Sequence, residues 1–343
     1  FNSVIWSWGG HFVFIIAGFL LPRFIDHNVG QDALGVWDFS WSLVGYSGLV
    51  LLGVGSSVNR YVAMHLADND IEGLNQSVSS VFCVQMIMGL IVLVLTLTAV
   101  WLIPIFWSVR IGPLVSDARW LVLFLGMSTS LSFAFGAFDG VLTGCHRWDL
   151  YNSINAGCHA VTVAVMLIAL VLGFGIVSLG VLYFLEAVLR VLIRFFMVFR
   201  VCPVLRIGAS HVRWPIALSM LRFGAKTYIN EVSRTLLYQT NSILIVTFLG
   251  PAMLALYSRP MALIQHVRAF STKLAHTITP IASEFETKGD RSELSGLVLQ
   301  MSRYNVAIAL PPILFLCILG GPLLLLWMGK GYRHDILVAI LAA

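Results

Sequence analysis

Seven basic side chains lie inside stretches that are otherwise apolar: Arg190, Arg194, Lys226, Arg234, Arg259, Arg268 and Lys273. Four acids lie in similar settings: Asp38, Asp139, Glu186 and Glu231. An ionised group at the middle of a bilayer span costs at least ~2.5–3.5 kcal/mol on insertion scales. Such groups persist where they face a wet cavity, pair with an opposite charge or reach an interface. All seven cations fall between 190 and 273, in the predicted spans six to eight, where only Glu186 and Glu231 oppose them, an expected local excess of +5. A cavity with that excess suits an anion. Arginine suits a phosphate, because its planar fork donates two parallel hydrogen bonds.

The seven are not equivalent. Arg194 lies six residues from one end of its span, roughly 9 Å along a helix, and can carry its guanidinium to the headgroups along its own stem. Lys226 and Lys273 also lie near span ends. Arg190 can pair with Glu186 one turn away, and Arg234 with Glu231 at i, i+3. Arg259 and Arg268 have no acid in their own span, and Arg234 falls close to the midplane. Arg234, Arg259 and Arg268 are therefore the first candidates for anion contacts, followed by Arg190 and Lys226. Asp38, Asp139, Glu231 and Glu186 are candidates for ion coupling or charge pairing.

Enzyme chemistry has no comparable foothold. The five cysteines (Cys83, Cys145, Cys158, Cys202 and Cys317) show no metal-ligand or disulfide spacing, and the nine histidines are scattered. No nucleophile or acid/base pair stands out. A transporter without cofactor or metal is expected, and not an enzyme.

The elements that must position these charges follow from composition. Of 343 residues, 59% are hydrophobic and only 11% charged, with a mean hydropathy of +0.90. A soluble domain carries roughly 25% charged residues, so a soluble enzyme, a disordered chain and a nucleic-acid binder are all excluded. The pattern predicts an all-α polytopic membrane protein with nine spans and the start of a tenth. They are placed at 3–21, 36–56, 78–106, 119–143, 153–173, 176–200, 222–248, 252–280 and 297–328, with a last run from Asp335. Most tryptophans fall near span ends, as an interfacial belt would. Pro260, Pro280, Pro311, Pro312 and Pro322 are expected to break or bend the eighth and ninth spans. The missing initiator methionine and the apolar run at Ala343 lead to the expectation of a fragment of a longer protein.

Lys and Arg counts favour a cytoplasmic N-terminus, nine against five, with the 200–222 connection contributing four arginines and no acid. An offset of 220 aligns Gly30 to Trp37 with Gly250 to Tyr257, Leu43 with Leu263, Asp70 with Asp290 and Leu74 with Leu294. Both copies read as a short turn, an apolar span and a charged segment. This predicts a parallel repeat: a first transmembrane bundle of six spans at 1–205, and a second at 206–343, of which about four spans are visible.

Short motifs along the chain resemble one family. They are Asn2 and Ser3; Leu21, Pro22, Arg23 and Phe24; Gly30, Gly35, Val36 and Trp37; Leu52, Gly53, Val54 and Gly55; and Arg60, Tyr61, Val62 and Ala63. Later come Phe248, Leu249 and Gly250; Leu254, Ala255, Leu256 and Tyr257; and Thr279 through Glu284 ahead of Gly289 and Asp290. Together they look like the polysaccharide-type flippases (O-antigen-type flippases) of the multidrug/oligosaccharidyl-lipid/polysaccharide exporter superfamily. The resemblance implies two six-helix bundles about a pseudo-two-fold axis, with a central cleft open to one side at a time. It implies a polyprenyl-(di)phosphate-linked oligosaccharide moved across the inner membrane for surface polysaccharide assembly, beside a polymerase and a chain-length regulator. One departure is Asn241, where relatives commonly hold an acid, which puts an ion-coupling role at that position in doubt. The competing expectations are a multidrug exporter or a peptidoglycan-precursor flippase of the same superfamily. A membrane-embedded glycosyltransferase is disfavoured by the short outer loops.

Overall fold

A backbone in hydrocarbon must satisfy its own hydrogen bonds, and a chain this apolar does so with helices. The computed structural model describes the backbone of residues 2–50, 54–268 and 291–332, and side chains within 12–50, 58–222, 232–268 and 295–332. Among the described residues the regular elements are all helical. They are α1 (Asn2–Asn28), α2 (Gln31–Gly45), α3 (Val54–Ala67), α4 (Ile71–Phe106), α5 (Ser108–Ile111), α6 (Val115–Ala134), α7 (Ala137–Gly144), α8 (Trp148–Val171), α9 (Val177–Val201), α10 (Trp214–Leu249), α11 (described over 251–268) and α12 (Arg291–Met328). Among the described residues, four stretches are long and apolar enough to cross a bilayer by length and composition: Ile71–Phe106, Ser108–Ala134, Trp148–Val171 and Ser295–Met328. The run expected from Asp335 and the second half of the eighth span lie outside the described residues.

The chain forms two compact units, Phe1–Leu254 and Ala255–Ala343. In the first, the polypeptide runs back and forth as α1, α2 with α3, α4, α6 with α7, α8 and α9. It then crosses the 202–213 connection into α10. Helix α4 packs on α6, α1 on α8, α6 on α9 and α3 on α7. The connection is strapped to the start of α4. The amides of Arg206, Gly208 and Arg213 donate to Asn75 Oδ1 (2.7 Å), Ser79 Oγ (3.3 Å) and Ser80 Oγ (2.8 Å). Those three side chains are buried, and the strap is what satisfies them.

Two expected spans are not continuous. The second is interrupted after α2 by a tight 3-10 segment, Tyr46–Val50, and the fourth is divided at Phe135 and Gly136 between α6 and α7. The second break has a packing reason. A Cβ on Gly140 would lie 2.4 Å from Val58 Cβ, and one on Gly144 would lie 2.7 Å from Val62 Cβ. Helix α7 thus rests on α3 through small residues four apart, an arrangement that lets membrane helices approach closely. The re-aimed α7 carries Asp139 into the bundle. Four of the expected prolines do not break their helices: α12 continues through Pro311, Pro312 and Pro322, and the helical run 251–268 continues through Pro260, while Pro280 lies outside the described residues. Packing and local adjustment in membrane helices absorb the lost donors.

The aligned turns share a backbone geometry. Gly30 has φ 109° and ψ 165°, and Gly250 has φ 90° and ψ 171°. In each the amide donates to a carbonyl five residues back, Ile25 in one and Ile245 in the other, both at 3.2 Å. That region of φ and ψ is open essentially to glycine alone. Alanine at Gly30 meets no atom within 4 Å, so its cost is backbone strain alone. Gly30→Ala and Gly250→Ala are each expected to cost about 1–3 kcal/mol, read as a lowered unfolding midpoint of the purified protein in detergent.

Candidate functional site

Helix α9 carries three charges at helical spacing, Glu186, Arg190 and Arg194, on the face turned into the first unit. Glu186 and Arg194 are buried, with 3% and 5% exposure. Arg190 Nη1 donates to Glu186 Oε1 at 2.9 Å, and its Nη2 donates to Ser132 Oγ on α6 at 3.3 Å. Arg194 reaches α7, with Nη1 2.8 Å from Asp139 Oδ1 and 3.0 Å from Oδ2. Its Nη2 donates to Asn155 Oδ1 on α8. The Tyr151 ring lies 5.7 Å from the guanidinium carbon, a cation–π contact. Two guanidinium groups and two carboxylates therefore form a neutral quartet tied to three neighbouring helices. Phe138, next to Asp139, is wedged among Phe82, Phe135, Phe195 and Phe199, which fixes where Asp139 can point.

The pairing of Arg190 with Glu186 follows the i, i+4 expectation. The snorkelling expected of Arg194 does not occur. A carboxylate 55 residues away satisfies it inside the bundle, so the stem has no reason to reach for the headgroups. The same pair lowers the expected excess of +5, because Asp139 on α7 also opposes these cations.

Helix α10 presents one polar face and one mixed face, the second also carrying the exposed Leu237 and Phe248. On one, Thr240 Oγ1 lies 2.6 Å from Tyr46 Oη, and Thr247 Oγ1 accepts from Trp107 Nε1 at 2.8 Å. Gln239 approaches Gly45 on α2. The other carries Arg234, Tyr238 and Asn241 at i, i+4 and i+7, with Arg234 and Asn241 exposed. Arg234 is 15 residues before Leu249, about 22 Å along the axis, within the reach of a ~30 Å hydrocarbon layer. In the second unit Arg259 is buried at 5% exposure and Arg268 is exposed. Nine residues apart on one helix, they sit on opposite faces at ~100° per residue. Asp38 lies half-buried on α2, beside the Trp37, Trp41 and Tyr183 edge contacts. The side chains of Lys226 and Glu231, and all of Lys273, lie outside the described residues.

Residues 62–336 match the model of a family described as polysaccharide biosynthesis protein. The chain belongs to that family. Two curated proteins are similar to this family member over nearly its whole length. "Uncharacterized membrane protein EpsK" of Bacillus subtilis (strain 168) is 20% identical over 323 residues, 93% of this chain and 64% of that protein. "Putative O-antigen transporter" of Shigella flexneri is 22% identical over 349 aligned positions, 97% of this chain and 77% of that protein. The chain thus spans about two thirds of EpsK's length. Among solved structures, an inward-facing multidrug resistance MATE family transporter of the MOP superfamily matches with a TM-score of 0.71 at 15% identity, covering 96% of this chain and 75% of that one. A MATE protein in the straight conformation matches with a TM-score of 0.69 at 16% identity, over 99% and 77%. This polysaccharide biosynthesis family member therefore has the all-helical fold of MATE transporters and is a multi-pass membrane protein.

Sequence reasoning missed the groups that complete the quartet: Asn155, Ser132 and Tyr151. The available signal was Asn155 inside the predicted fifth span, one helical turn from Tyr151.

Proposed function

We propose that this protein is a flippase that moves a polyprenyl-(di)phosphate-linked oligosaccharide across the cytoplasmic membrane for surface polysaccharide assembly. The observation that carries this reading is the exposed face of α10, where Arg234 sits at bilayer depth with Tyr238 and Asn241. A cation at that depth persists facing water or paired with an opposite charge, and not bare against acyl chains, and the exposure of Arg234 supports the watery setting. Its guanidinium fork matches a diphosphate.

In this account the N-terminus is cytoplasmic, and the chain is built as bundles 1–205 and 206–343 that rock about a shared cleft. Arg234 contacts the phosphate or acidic sugar, joined by Arg268 or Arg259 according to which face of α11 the substrate meets, with Arg190 and Lys226 as further cations. The quartet of Asp139, Glu186, Arg190 and Arg194 is the coupling element. Protonating either carboxylate, or bringing an anion near, unbalances a charge set that the bundle otherwise keeps neutral. Asp38 and Glu231 are further acids that such coupling can draw on. A polymerase and a chain-length regulator would act downstream. The multidrug alternative calls for an acidic or aromatic pocket for cationic drugs, and Arg234 argues against it.

Deleting the gene is expected to cause polyprenyl-linked oligosaccharide to accumulate in the cytoplasmic leaflet, measured by lipid extraction, while surface polysaccharide disappears. Normal surface polysaccharide without accumulation would refute the assignment. A strain lacking only drug tolerance would point to the exporter, and one lacking only peptidoglycan to a precursor flippase.

A further inference from the structure

The first unit contains a cavity of about 870 Å3 at the end that carries the arginine-bearing connection, between the end of α3, the α7–α8 turn and the end of α9. Its walls are apolar, from Leu66, Leu150, Met197 and Val201, and its mouth carries His146, Arg147 and Arg200. Arg147 is held by Asp149 through two hydrogen bonds of 3.0 Å. Arg200 is exposed and makes no ion pair among the described residues. The exposed tryptophans Trp148 and Trp214 flank the same end, which sets it at headgroup depth. Arg206 and Arg213 follow on the strap and add to the local positive charge. No acid occurs between Arg190 and Arg222.

An apolar chamber that opens at headgroup depth onto an uncommitted guanidinium fits one chemistry: a phosphodiester with acyl chains attached. We infer that this cavity binds an anionic phospholipid of the adjacent leaflet, with its phosphate at Arg200 and His146 and the start of its chains against Leu66, Met197 and Val201. Basic pockets between helices on the cytoplasmic side of membrane proteins serve this purpose. The site uses none of the residues assigned to transport and does not rest on that assignment. Its occupancy braces one end of α7 and α9, which carry the quartet, together with α3.

The cavity carries its own reporters, because Cys145 and Cys202 line it. The neighbouring Cys145 thiol holds the Cys202 thiol below the ordinary cysteine range, and Cys145 is the more exposed of the two, so the pair reports on access to the cavity. The test uses the full-length protein with Cys83, Cys158 and Cys317 replaced by serine, in nanodiscs of neutral phosphatidylcholine with or without phosphatidylglycerol. The rate of modification by the small neutral reagent methyl methanethiosulfonate is followed by mass spectrometry.

Phosphatidylglycerol is expected to slow modification at least about fivefold, the effect of one basic residue at an anionic surface. Arg200→Glu should abolish the protection and Arg200→Lys should retain it. Inorganic phosphate added to neutral nanodiscs should not protect. Equal rates in the two bilayers would overturn the proposal. So would a slowing that persists in Arg200→Glu, which reports surface pH alone, or equal protection by inorganic phosphate, which marks a site for soluble anions. If Arg200→Glu fails to fold, Arg200→Gln and a count of co-purifying phosphatidylglycerol by native mass spectrometry decide the question. Retention of that lipid by Arg200→Gln at the wild-type level would contradict it.

Discussion

Arg234→Ala is expected to abolish export of surface polysaccharide while leaving the protein in the membrane at its normal level. The side chain is exposed, so truncating it opens no core cavity and breaks no packed layer. In the proposed mechanism its removal takes a charge-assisted, two-pronged contact from the substrate diphosphate. Hydrogen bonds to charged groups contribute about 1.5–3 kcal/mol each, so loss of the pair slows translocation by two orders of magnitude or more. Arg234→Lys keeps the charge and loses the fork, and is expected to fall between the two. Immunoblotting of membranes fixes the protein level, and surface polysaccharide with leaflet-resolved lipid extraction fixes the transport. Wild-type export by Arg234→Ala would remove this residue from the mechanism.

Removing Asp139 should have the largest effect on folding. Asp139→Leu leaves Arg194 as an unpaired cation at 5% exposure, and breaking a buried pair from one side costs about 3–5 kcal/mol. Against a total of about 5–15 kcal/mol, that is enough to lower the yield of folded protein sharply, as seen by size-exclusion chromatography in detergent. Arg194→Met added to Asp139→Leu removes both charges together, and such apolar replacements of buried pairs are often neutral or stabilising. The double variant should recover the folded peak. Because the quartet is assigned to coupling, it should still fail to export. Recovery of both folding and export would make the Asp139–Arg194 pair purely structural. No recovery of folding would show that the pair is not the source of the loss.

The contrast between the two carboxylates explains what could be read in the sequence. Glu186 and Arg190 sit one turn apart on a single helix, so their pairing follows from spacing alone. Asp139 and Arg194 are brought together only by the α6–α7 break and the close seating of α7 on α3 through Gly140 and Gly144. Neither is a local property of the chain. The same holds for the strap. Asn75, Ser79 and Ser80 look like ordinary small polar residues at the start of an apolar helix, and their partners are backbone amides some 130 residues away. Helical spans were legible because hydrocarbon leaves the backbone no alternative. Where those spans would break was not legible, since α12 absorbs three prolines and α2 ends without one. The turns at Gly30 and Gly250 were legible as a sequence repeat. Their matching dihedral angles show that the two turns share a local backbone geometry.

The central claim is that the Arg234 face of α10 meets water and holds an anion. Asn241, seven residues on and about 10 Å along the helix, is an exposed position on the same face from which to measure it. In a protein freed of its own cysteines, Asn241→Cys should react with a charged, water-soluble methanethiosulfonate in sealed vesicles. A short-chain isoprenyl diphosphate should slow that reaction, the matching isoprenyl alcohol should not, and Arg234→Ala should erase the protection. A cysteine at this position that stays unreactive toward the aqueous reagent would place the face against lipid and contradict the account. So would equal protection by the alcohol and the diphosphate.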